Sequence, residues 1–122
     1  MKKIILLIIL LNAMPAFADN CDKPRDDFDG LYCLNKVYIE SDKELNVAYK
    51  ELRAYLNKEE KSKLKETQVA WIKSRNSSCS FRKDGRFFVS LGCTADTTID
   101  RTNTLKDRIR ECKVTGCQPS KL

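Results

Sequence analysis

The 122-residue chain contains no histidine, one tryptophan, four glycines and three prolines. Without histidine it lacks the side chain that most often serves as general base or metal-binding imidazole near neutral pH. No two cysteines stand in CxxC spacing, so zinc-ribbon and thioredoxin-like readings lose their signature. Glycine is too sparse for a phosphate-cradling loop. The longest apolar run, Ile4 to Leu11, falls short of the ~20 residues that cross a bilayer as a helix. No serine has an evident base. The one tight carboxylate group, Asp26, Asp27 and Asp29, sits where a helix start would use it for capping. These gaps argue against an enzyme, a metal site, a cofactor and a nucleic-acid partner.

What is present points to export. Lys2 and Lys3 precede the apolar run, and Ala16-Phe17-Ala18 forms a small-x-small cleavage site. A signal peptide over residues 1–18 is expected, leaving a single domain over 19–122. Cys21 lies three residues past that cut, which is the wrong place for lipid attachment. Losing Lys2 and Lys3 lowers the formal charge from +6 to +4. Six cysteines remain, and an even count in an exported chain predicts three disulfides. Spacing favours Cys79–Cys93 and Cys112–Cys117, which leaves Cys21–Cys33; the main rival pairs Cys33 with Cys79.

Helical periodicity dominates the rest. Leu31, Leu34, Tyr38, Leu45, Tyr49, Leu52 and Leu56 share one stripe, predicting a helix from Asp27 to about Leu56, with Asp42 intruding on it. Asn57 with Glu60 has capping-box spacing and starts a second helix reaching about Phe81. So short a connection predicts an antiparallel helix hairpin. The segment from Arg82 to Gly92 is expected to be irregular or a small hairpin turning at Asp84-Gly85. A third helix is expected from about Thr94 to Glu111, with Gly116 and Pro119 ending the ordered chain. The fold class is all-α: a small, disulfide-stapled helical bundle.

The second helix carries Leu64, Gln68, Trp71, Arg75 and Cys79 on one face, so an amide and a guanidinium lie on a stripe that should be apolar. Antiparallel pairing would set Asp42 beside Arg75 and Asn46 beside Gln68. A polar core of Asp42, Asn46, Gln68, Trp71 and Arg75 is therefore expected, with each buried polar group satisfied internally. The alternative is that the stripe is a binding surface.

These residues, read as DxxLNxxYxxL followed by LxxxQxxWxxxRxxxC and then Cys93, Arg101 and Leu105, resemble the LprI-type lysozyme-inhibitor domain. The resemblance implies an exported, cysteine-containing helical domain of bacteria that acts by binding lysozyme or a related cell-wall hydrolase. Two features depart from the type member: there is no lipid-attachment site, and the net charge is positive, as it is on animal lysozymes, so long-range repulsion would slow encounter.

Contact with an enzyme cleft needs a protruding group, and Arg82, Lys83, Arg86, Phe87 and Phe88 combine cations with aromatic anchors. The competing reading has the phenylalanines capping the bundle while the cations solvate the turn. Two functions follow: an exported, periplasmic or secreted inhibitor of lysozyme or a muramidase-like toxin, or an interaction module binding an anionic envelope component. Salt dependence separates them.

Overall fold

The computed structural model describes residues 21–122; the leader expected at 1–18 and the mature start at Asp19 lie outside them. The order is α1 (Asp27–Ala54), α2 (Lys58–Ser78), β1 (Ser80–Lys83), β2 (Arg86–Val89), α3 (Leu91–Val114) and a 3₁₀ turn (Pro119–Lys121). The chain is mostly helical, and the strands form only a two-stranded ribbon.

Local chemistry sets each boundary. The Asp26 side chain accepts from the Asp29 amide at 2.9 Å and starts α1. Asn57 and Glu60 exchange side-chain-to-backbone bonds of 2.9 Å in a full capping box at the head of α2. Ser90 accepts from the Cys93 amide and caps α3, whose first residue, Leu91, lies three residues before the start expected from periodicity. Helix α2 ends at Ser78 rather than near Phe81. Beyond Cys79 the polar-aromatic run Ser80 to Lys83 finds a partner strand in Arg86 to Val89, and pairing overrides further helix. Past α3, Gly116 has φ +93, the left-handed conformation that ends a helix. The chain stays ordered beyond it: the Lys63 ammonium donates to the Pro119 carbonyl at 2.6 Å, and Leu122 packs on the core.

The three helices form an up-down-up bundle. Helices α1 and α3 are parallel, because Glu44 pairs with Lys106 and Glu51 with Lys113 at the same sequence offset. Helix α2 runs against both: Arg75 reaches Thr98 while Gln68 reaches Arg101. The closest helix pair is α1 with α3, rather than the sequential hairpin pair α1 with α2. Small residues explain it. Ser41 and Ala48 on α1 and Ala95 and Thr102 on α3 are all buried and let the backbones approach, whereas Gln68, Trp71 and Arg75 hold α2 further off. The buried threonine hydroxyls donate to carbonyls one turn back in α3 (Thr94 to Ser90, Thr98 to Thr94, Thr102 to Thr98), so this polar stripe is self-satisfied.

The core comprises Leu45, Ala48, Leu52, Leu56, Leu64, Leu105 and Ile109, with Tyr49 and Trp71 packed against it. Leu52, Leu64 and Leu105 are fully buried, each stabilising by about 1.5–3 kcal/mol. Leu31 and Leu34, expected on the core stripe, are exposed. Tyr38 already faces Arg75, so α2 stops before it can cover those earlier turns of α1. Disulfides join Cys21 to Cys33, Cys79 to Cys93 and Cys112 to Cys117. The second ties the end of α2 to the first turn of α3, holding both feet of the β1–β2 hairpin.

Candidate functional site

The hairpin between α2 and α3 gathers the cations and aromatics singled out in the sequence. Asp84 and Gly85 both have positive φ, +50 and +72. That is the signature of a type I′ turn, whose twist suits a two-residue hairpin. Glycine bears the second position without strain. The register pairs Ser80 with Val89, Phe81 with Phe88, Arg82 with Phe87 and Lys83 with Arg86. Cross-strand partners share a face and successive residues alternate, which divides the five candidate residues into two sets.

One face carries Phe81, Phe88, Lys83 and Arg86. The two rings stack with centroids 5.0 Å apart and planes 8° from parallel, yet Phe81 is 58% and Phe88 40% exposed. Lys83 and Arg86 sit beyond them at the tip, also exposed. The opposite face carries Arg82, Phe87, Ser80 and Val89. Here the Arg82 guanidinium lies 5.3 Å over the Phe87 ring. Ser80, Phe87 and Val89 line a groove against the bundle with Tyr38, Arg75, Asn76, Cys79 and Thr94. So Phe87 borders the groove while staying 58% exposed, and the stacked pair lies on the face away from it.

The expected polar core is rearranged. Asn46 is exposed and Asp42 half-buried, and they bond to each other: the Asn46 amide donates to the Asp42 carbonyl at 2.9 Å and to its carboxylate at 3.3 Å. Neither reaches α2. Side chains four apart on one helix are neighbours, and that local partner wins over the cross-helix one. Gln68 is buried and instead accepts from Arg101 Nε at 2.9 Å. Arg75 is only 9% exposed. Its Nη1 donates to the Thr98 hydroxyl at 3.3 Å, and its Nε and Nη2 donate to the Asn76 side-chain oxygen at 3.2 and 3.1 Å. The guanidinium lies 5.0 Å from the Trp71 ring centroid and 5.8 Å from that of Tyr38. Trp71 is half-buried, one side on the core and one against Arg75.

Residues missed by sequence reasoning are therefore Tyr38, Asn76 and Thr98 as partners of Arg75, and Arg101 as partner of Gln68. A signal existed. The stripes of α2 and α3 that must meet contain Gln68, Arg75, Thr94, Thr98 and Arg101 and no carboxylate, so their arginines had to find neutral partners.

A family model described as lysozyme inhibitor LprI matches residues 21–105. The chain belongs to the LprI family. The match runs from the first cysteine through both helices of the polar stripe to Leu105, and so includes the hairpin. No curated protein and no solved structure matches the chain. The LprI description names an inhibitor rather than an enzyme. Among the described residues no helix is long and apolar enough to cross a membrane.

Proposed function

We propose that this LprI-family chain is an exported protein that inhibits lysozyme or a lysozyme-like wall hydrolase with the outward face of its hairpin. The observation that carries the reading is the stacked Phe81–Phe88 pair, exposed and flanked by Lys83 and Arg86, on a family member described as a lysozyme inhibitor. Glycosidases of this kind act with two carboxylates flanking the scissile bond. A twisted, disulfide-footed finger offering two cations and an aromatic anchor suits such a cleft, since aromatics and arginine dominate interface hot spots. The Cys79–Cys93 bridge holds the feet of the finger, which lowers the ordering cost of binding. Three disulfides and no free cysteine among the described residues support a periplasmic or secreted setting. The formal charge of +4 left after the expected leader is removed opposes encounter with a basic lysozyme at long range, so association should be slow and speed up with moderate salt.

The test is residual activity of several lysozyme classes on cell walls with purified mature protein. Lys83→Glu combined with Arg86→Glu should abolish inhibition with little change in melting temperature, because both side chains are exposed. No inhibition of any class by the wild type rules the reading out. The exposed cations also favour a second reading, binding of an anionic envelope glycan. That binding would weaken steadily as salt rises, which is the opposite trend.

A further inference from the structure

The groove between the inward face of the hairpin and the bundle encloses about 410 Å³ and is separate from the outward face assigned to inhibition. Arg75 lines it, nine-tenths buried, and among the described residues it forms no ion pair with any carboxylate. Three of the five guanidinium N–H groups meet neutral oxygens of Asn76 and Thr98, leaving two without a protein acceptor. A second cation lies one turn along α3. Arg101 lies outside the lining of the groove; its buried Nη2 has no hydrogen-bond partner, and burial pushes its guanidinium pKa down. Buried cations are normally paired, and carboxylate is the partner whose two oxygens match the guanidinium fork. The other walls of the groove are apolar and aromatic (Phe87, Val89 and the Tyr38 ring), with the Thr94 and Asn76 side chains between them. A mostly apolar cleft with a few convergent polar groups is the usual build of a small-ligand site.

We propose that this groove binds a carboxylate bearing an apolar or aromatic flank, with Arg75 taking the carboxylate and Phe87 and Val89 the flank. The carboxylate belongs to a free organic acid or to the C-terminus of a peptide ending in an apolar residue. Arg75 stacks on the only tryptophan of the chain, so Trp71 is a built-in reporter of occupancy.

The experiment uses the intact, disulfide-bonded mature protein with no lysozyme present, so its result stands whether or not the inhibitor reading survives. Phenylacetate is titrated against phenylacetamide, its uncharged isostere, while Trp71 emission is followed. A saturable change with phenylacetate, weaker by at least about tenfold with phenylacetamide and in Arg75→Gln, is expected from loss of a charge-assisted fork. An equal response to the amide, or an undiminished response in folded Arg75→Gln, overturns the proposal. Should Arg75→Gln fail to fold, the Arg75 Nε–H resonance of the wild type decides. Its movement with phenylacetate and not with phenylacetamide supports the assignment, and its failure to move overturns it. N-acetyl-alanyl-phenylalanine against its C-terminal amide then separates the sources. Binding of the free-acid peptide assigns a peptide C-terminus, and binding of phenylacetate alone assigns a small organic acid.

Discussion

Helix α3 meets its two neighbours in opposite ways. Toward α1 it presents buried small side chains with Leu105 and Ile109, and the two helices pack closely, edged by Glu44–Lys106 and Glu51–Lys113. Toward α2 it presents Thr98 and Arg101, and the contact is polar, with two arginines and no carboxylate. The first contact can bury apolar area without any partner chemistry. The second needs each buried polar group satisfied, and it leaves Arg101 Nη2 without a partner. The first is built for stability. The second gives up some stability and carries the groove proposed here as a site.

The sharpest way to break the comparison is to hollow the apolar side. Leu52→Ala removes a fully buried side chain and should cost about 2–5 kcal/mol in chemical denaturation, the range for cavity-forming truncations. A loss below ~1 kcal/mol would mean that the α1 contact does not dominate. Next comes the staple holding the polar side in place. Replacing Cys79 and Cys93 together by alanine should cost about 2–4 kcal/mol and loosen the hairpin, seen as faster amide exchange over residues 80–89.

Arg75→Ala should cost less than breaking a buried ion pair, about 1–3 kcal/mol, because it removes hydrogen bonds to Asn76 and Thr98 and two ring contacts but strands no carboxylate. A double-mutant cycle with Asp42→Ala should show coupling near zero. Coupling above about 1 kcal/mol would restore the Asp42–Arg75 pair that the geometry denies.

The smallest effect belongs to the exposed rungs. Glu51, through its hydrogen bond to Lys113, raises the ammonium's pKa above the ordinary lysine value. Such a contribution is fully present below the lysine range and fades only as pH rises through the raised value. Both side chains are about half exposed, so solvent screening keeps the contribution small even where it is fully present, and Lys113→Ala should leave melts at neutral pH within replicate scatter, the more so in high salt. A clear drop there would place real stability in the rungs.

Much of this was legible from the chain. Asp26, Asn57 with Glu60, and Gly116 mark helix ends through rules that act within a few residues. Asp84-Gly85 flanked by alternating residues marks the hairpin. The motif around Gln68, Trp71 and Arg75 carries the LprI family pattern in the sequence itself. Less legible was how far the apolar stripe of α1 is used. Periodicity shows that Leu31 and Leu34 face the same way as Leu45, but it cannot show that α2 ends before reaching them.

What the sequence determined by itself are the features set by near neighbours: helix identity, caps, the turn and the family pattern. Tertiary structure alone decided which side chains meet. Asp42 and Arg75 satisfy every spacing rule for a partnership, yet Asp42 bonds to Asn46 on its own helix, and Arg75 lies against Trp71, Tyr38, Asn76 and Thr98. The reason is that pairing depends on interhelix distance, which the bulk of facing side chains sets. Small residues draw α1 against α3, while the large polar stripe of α2 is left to find its partners on α3.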